Sequence, residues 1–267
     1  MMGDGLMANS AKNRWKVVGV SAQGVSHLKT ATPCQDAHRW EVLPNGVLIA
    51  AVSDGAGSAA FSEEGANVAA DAAITALRRI LTTDDPAAIS PEQGGWHGVL
   101  SDALEHARQA VVALAERRGE PLREFAATLI VLIATSEFVT AMQVGDGAAV
   151  AGEDAGALFT LTSPQSGEYI NETFFLASPD ALASAQFAFR RGRISQLALL
   201  SDGLQLLALK MPAGEPHAPF FAPLFRFAAE CGEDGQQQLQ SFLRSPRIVD
   251  RSDDDLTLLL AVNTFQG

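Results

Sequence analysis

Three apolar runs of this chain close on an Asp-Gly pair. VLIAAVS leads into Asp54-Gly55, FVTAMQVG into Asp146-Gly147 and QLALLS into Asp202-Gly203. A fourth acidic cluster, Asp253-Asp254-Asp255, stands directly before LTLLLAV, and Asp36 lies in the early segment CQDAH. One Asp-Gly is ordinary turn chemistry, because aspartate bonds to nearby backbone and glycine accepts positive φ. The recurrence carries more meaning. Carboxylates at strand ends can converge at one edge of a sheet, where they repel one another unless a cation intervenes. Hard divalent cations prefer oxygen ligands. The two cysteines, Cys34 and Cys231, are far apart, and there is no histidine or cysteine cluster for zinc. The chemistry on offer is an all-oxygen site for magnesium or manganese. Four or five carboxylates make room for two ions about 3.5–4 Å apart, which can hold a hydroxide between them and aim it at phosphorus.

The elements that must position these residues follow from periodicity. Residues 15–21 read as a strand and 24–38 as a loop; residues 47–53 form a short buried strand ending in a turn. From Ser62 apolar residues recur at three- and four-residue steps, which gives a helix to about Ile80, with Ser62 able to cap it and Glu63 and Glu64 suiting its positive end. A loop (82–95) precedes a second helix over 96–118. Strands follow at 128–134, 138–144, near Ala148, and at 158–161, 187–190 and 197–201, with a long polar loop over 163–185. Helices are expected at 203–209, 219–230 and 236–244, and a last strand at 256–262. This order lacks the strict strand–helix alternation of a parallel sheet and suits an antiparallel α+β fold with helices on the sheet faces.

Composition narrows the classes further. The 267 residues supply a sizeable core, and no repeat or linker divides them, so residues 14–265 are expected to be one domain behind a loose tail (1–13). The net charge of -12 argues against a nucleic-acid partner. The longest apolar stretch, 125–134, is too short to cross a bilayer, and the N-terminus lacks the signal-peptide pattern. Two unpatterned cysteines fit a reducing cytoplasm; a monomer is the default expectation.

The set QDA (35–37), DGAGS (54–58), a Thr128-Leu129 strand, GDG (145–147), SDG (201–203) and DDLT (254–257), in this order, resembles the metal-dependent Ser/Thr protein phosphatases, the protein phosphatase 2C family, over about residues 15–262. GEYINETFF (167–175) and SHLKTATPCQDA look like a bacterial subgroup. The resemblance implies a four-layer α-β-β-α sandwich of two antiparallel sheets flanked by helices. It implies that Asp54 bridges two metals, that the Gly55 carbonyl binds one, and that Asp36, Asp202 and Asp254 complete the catalytic shell. Asp146, with Asp202, matches a weaker third site. The implied reaction is one-step hydrolysis of phosphoserine or phosphothreonine, in a protein substrate of a Ser/Thr kinase, by a metal-bridged hydroxide. Two departures stand out. Where the family commonly has a phosphate-holding arginine, this chain has Ala31; Lys29 is the candidate substitute, and His27 the candidate proton donor to the leaving oxygen. The middle motif ends Gly147-Ala148, without the usual arginine. Asn171 and Glu172 fall in a flap-like segment that can touch the site.

Other readings are open to test. Gly55-Ala56-Gly57-Ser58-Ala59-Ala60 satisfies a dinucleotide-binding fingerprint between strand and helix, though Asp54 would repel a pyrophosphate. A phosphatase-like module that binds without catalysis is a second alternative, against which all the expected aspartates are present. No G-x-S-x-G elbow supports a serine hydrolase, and no D-x-D pair supports an aspartyl-phosphate enzyme.

Overall fold

The strand VLIAAVS is apolar at every position because both of its faces are buried. Leu48, Ala50 and Val52 point into one apolar cluster, Ile49 and Ala51 into another, as the two-residue period of a strand requires. The computed structural model describes residues 15–83, 93–135, 137–153, 156, 158–165 and 174–264. The expected tail at 1–13, and Asn171 and Glu172, lie outside the described residues.

Two five-stranded antiparallel sheets stack face to face. The first comprises β1 (Trp15–Ala22), β12 (Leu256–Asn263), β9 (Ile194–Leu200), β6 (Ala148–Glu153) and β7 (Leu158–Thr162), in that spatial order. The second comprises β2 (Ala37–Val42), β3 (Leu48–Ser53), β4 (Leu129–Ala134), β5 (Phe138–Val144) and β8 (Gln186–Arg191). Between them lies a buried apolar layer with Val52, Leu132, Ala141, Ala151, Leu199 and Leu259. The helices α2 (Ser62–Thr83) and α3 (Gln93–Arg118) cover the outer face of the second sheet. Alanines at 66, 69, 70, 73 and 76 are buried there and let the two helices approach the sheet closely. On the outer face of the first sheet sit α5 (Gln205–Ala208), α6 (Ala218–Glu230), α7 (Gly235–Leu243) and α8 (Pro246–Val249), anchored by Phe221, Phe225 and Leu239. The result is the α-β-β-α sandwich expected of the α+β pattern.

Several local expectations are corrected. Residues 24–38 are not one loop: α1 (Val25–Thr30) forms within them and β2 begins at Ala37. The helix α1 buries no residue, so it has no apolar stripe to betray it. The strand β2 is an edge strand, partly exposed, and is defined by its pairing with β3. Residues 203–209 divide into a 3-10 turn (Asp202–Leu204), α5 and the start of the short strand β10 (Leu209–Lys210), which pairs with β11 (Glu215–Pro216). A short α4 (Ala181–Ser184) ends the long loop. Ser62 does not cap α2, since its Oγ is buried without a hydrogen-bond partner. The dinucleotide reading fails on topology: the strands flanking β3 pair with it antiparallel, so no parallel crossover follows GAGSAA.

Candidate metal centre

Strand register brings the acidic turns to one end of the sandwich. Ala37 pairs with Ser53, so Asp36 and Asp54 flank one rung of the second sheet. Ala148 pairs with Leu200 and Leu200 with Leu258, which sets Asp146, Asp202 and Asp254 around neighbouring strand ends of the first sheet. One carboxylate oxygen from each of Asp54, Asp146 and Asp202 lies within 4.8 Å of the others. Two glycines make these turns possible. Gly145 sits at φ 111°, in the region that disfavours side chains, with Thr128 against it. At Gly203 a Cβ would come 2.2 Å from the Asp255 carbonyl oxygen, so only glycine allows the Asp202 turn to lie against the Asp254 segment.

The carboxylates are short of donors. Asp36 is buried; the Ser201 hydroxyl donates to its Oδ2 at 2.7 Å, while its Oδ1 has no hydrogen-bond partner. The Oδ1 of Asp202 is equally orphaned. Burial pushes the Asp36 carboxyl up to about 7, with Asp255 and Asp202 adding repulsion against the hydroxyls of Ser201 and Thr257. Burial likewise raises Asp202 to about 6, with Asp146 and Asp254 contributing. Asp54 is raised well above the usual carboxylate range by burial and by Asp36, Asp202 and Asp146. Six aspartates therefore meet in one electrostatic neighbourhood. Orphaned, repelling oxygens with no nitrogen or sulfur ligand among them fit hard divalent cations. Cys34, nearby, is no rival nucleophile: burial and then Asp36 and Asp255 push its thiol up, away from the thiolate.

A second layer fixes the first. Ser201 Oγ also accepts the Thr257 N–H at 2.9 Å, tying β9 to β12 beside Asp36. The buried Gln143 donates to the carbonyls of Gly145 and Gly147 at 2.9 and 2.8 Å and so brackets Asp146, while Gln205 donates to the Asp146 carbonyl. Gly55 donates to the Gln35 carbonyl at 3.2 Å and bridges to Ala127. The exposed Asp254 accepts from the Asp255 N–H at 2.8 Å.

The adjoining Asp255, which sequence reasoning did not separate from its neighbours, is buried and well supplied. The N–H groups of Gly24 and Gln35 donate to its two oxygens at 2.6 Å each, and His27 Nδ1 lies 3.0 Å from Oδ2. Ser26 donates to the Asp253 carbonyl through both N–H and Oγ. Together these contacts pin α1 to the Asp254 segment. His27 is thereby held at the site's edge, and Lys29 is exposed on the same helix. Ala31 ends α1 at φ 56°, its N–H donating to the His27 carbonyl.

A family model described as Protein phosphatase 2C matches residues 23–244. The chain belongs to the protein phosphatase 2C family. It is 34% identical over 261 residues to Serine/threonine-protein phosphatase 3 of Escherichia coli (strain K12), covering 93% of this chain and 98% of that one. Solved structures share the fold at lower identity. A bacterial serine phosphatase superposes with a TM-score of 0.63 at 17% identity, covering 95% of this chain and 99% of its own. Serine/threonine phosphatase Stp1 of Staphylococcus aureus gives 0.62 at 17%, with both chains covered completely. The family is metal-dependent, and the Asp54, Asp146 and Asp202 cluster is able to hold a metal ion.

Proposed function

We propose that this chain is a metal-dependent protein phosphatase acting on phosphoserine and phosphothreonine, with Asp36, Asp54, Asp202 and Asp254 holding two cations, Mn2+ or Mg2+. Asp146, with Asp202, offers a third position. The observation that carries this reading is the pair of buried, unpartnered oxygens, Asp36 Oδ1 and Asp202 Oδ1, in one carboxylate cluster. Such oxygens are costly unless a cation answers them. The 34% identity to a named Ser/Thr phosphatase over nearly the whole chain supports the substrate class.

When bound, divalent cations lower the pKa of a water nucleophile and offset charge on the phosphoryl oxygens. The chain's own residues supply positioning. Ser201 and Gln143 hold the two sides of the carboxylate set. The His27 ring stands with Nδ1 3.0 Å from Asp255 Oδ2, and we assign His27 the proton for the leaving Ser or Thr oxygen and Lys29 the task of holding the phosphate. Gly55 contributes its carbonyl. The partner is a phosphoprotein made by a Ser/Thr kinase, met by a monomer in the cytoplasm; no described helix is long and apolar enough to cross a membrane.

Hydrolysis of a phosphothreonine peptide by metal-stripped protein, with Mn2+ or Mg2+ restored, tests this. Phosphate release should return with the ion and fall roughly a thousandfold in Asp54→Asn. No release by the wild-type chain with either ion and several peptides would turn the reading toward a module that binds phosphoproteins without cleaving them.

A further inference from the structure

On the outer face of the first sheet, the helices α5, α6, α7 and α8 border an open cleft of about 730 Å³. Its walls are apolar, with Leu206, Pro219, Phe220 and Phe242, and its margin carries Arg247 and Arg251, with Asp250 between them. Leu206 is 77% exposed, a large apolar side chain presented to solvent. Both arginines are exposed, and among the described residues neither forms an ion pair; Arg108, Arg117, Arg226 and Arg244 likewise form none, and what sets Arg247 and Arg251 apart is their place together at an apolar cleft. In a chain with 31 acidic and 19 basic residues, carboxylates are the abundant partner. Two guanidiniums left unpaired at the rim of an apolar cleft mark a place complementary to apolar and acidic groups together.

The cleft also lies within reach of the chemistry. Leu206 follows Asp202 by four residues, and Arg251 precedes Asp254 by three. Four residues span at most roughly 14 Å. An extended peptide with its phosphorylated residue at the aspartates needs only three or four further residues to enter the cleft.

We infer that this cleft docks a flanking segment of the phosphoprotein substrate, one that carries large apolar side chains interleaved with carboxylates. The inference rests on the phosphatase reading and deepens it by naming what the enzyme reads beside the phosphate. Apolar side chains pack on Leu206, Phe220 and Phe242, and carboxylates meet the forked donors of Arg247 and Arg251.

Fluorescence anisotropy on the full, Mn2+-loaded chain tests this with an unphosphorylated probe peptide of alternating glutamate with leucine and phenylalanine. A control peptide has lysine in place of glutamate. The glutamate probe should bind and the lysine probe should not. The double variant Arg247→Glu/Arg251→Glu, and separately Leu206→Asp, should weaken the glutamate probe about tenfold. Both keep p-nitrophenyl phosphate turnover, which needs the aspartates and α1 but nothing in the cleft, so loss of folding is read apart from loss of docking. Fusing the glutamate segment to a phosphothreonine peptide should raise kcat/KM about tenfold over the short peptide, a gain the variants lose. Equal binding of both probes, no binding of either, or undiminished binding in the variants overturns the inference. So does a concentration-dependent dimer that the variants disperse, which would assign the cleft to self-association. If the probe binds as described while no phosphothreonine peptide is cleaved, the docking chemistry stands and the phosphatase reading falls.

Discussion

Asp255 and Asp36 are both buried carboxylates at the same end of the sandwich, yet they meet opposite fates. Asp255 accepts two backbone N–H groups at 2.6 Å and lies 3.0 Å from His27. Asp36 has only hydroxyl donors, Ser201 among them on Oδ2, and its Oδ1, like the Oδ1 of Asp202, has no hydrogen-bond partner. A buried carboxylate given donors is part of the architecture; one denied them, and set among other carboxylates, waits for a charge that the chain does not supply. On the proposed reading, the contrast separates latch from metal site where sequence shows only aspartates.

The contrast breaks most sharply under substitution. Asp255→Ala strands the Gly24 and Gln35 N–H groups and releases α1, and should cost about 3 kcal/mol of stability in urea unfolding. Asp54→Asn relieves repulsion and should leave the metal-free protein more stable than wild type. Equal losses from both would erase the distinction. A smaller effect is expected of Ser201→Ala, which removes the donor to Asp36 and the acceptor for the Thr257 N–H and should cost about 1–2 kcal/mol.

The smallest effect is read in pH. A carboxyl whose folded-state pKa stands above its unfolded value binds its proton more tightly when folded. It adds stability at low pH and loses it as pH rises, here between about 4 and the raised values of about 7 for Asp36 and about 6 for Asp202. His38 works in the opposite sense. Burial, helped by Arg39, lowers it to about 4, so it withdraws stability as pH falls below 6.5. The Tm of metal-free protein mixes the two, but the rise in Tm on adding Mg2+ isolates the carboxylates. That rise should roughly double from pH 5 to pH 8; a rise independent of pH would mean the ion does not compete for these carboxyls.

Much of this was legible in the residues. The Asp-Gly turns at 54, 146 and 202 announced themselves because each closes a largely apolar run; the run before Asp54 is the purest, since its strand is buried at every position. The helices α2 and α3 showed in their spacing. Asp255 did not, because its donors are 231 and 220 residues away and no local pattern distinguishes it from Asp254. The helix α1 stayed hidden for a related reason: it is held by contacts with Asp253 and Asp255 rather than by an apolar face. Gln143 is a polar residue inside β5 whose role depends on the fold, which sets it under the Asp146 turn.

The measurement nearest the central claim is calorimetric titration of Mn2+ into metal-free wild-type, Asp54→Asn and Asp255→Asn proteins at neutral pH. Two tight sites in the wild type, lost in Asp54→Asn and kept in whatever fraction of Asp255→Asn remains folded, is the result expected of carboxylates left without donors. Undiminished Mn2+ binding by folded Asp54→Asn would contradict the account.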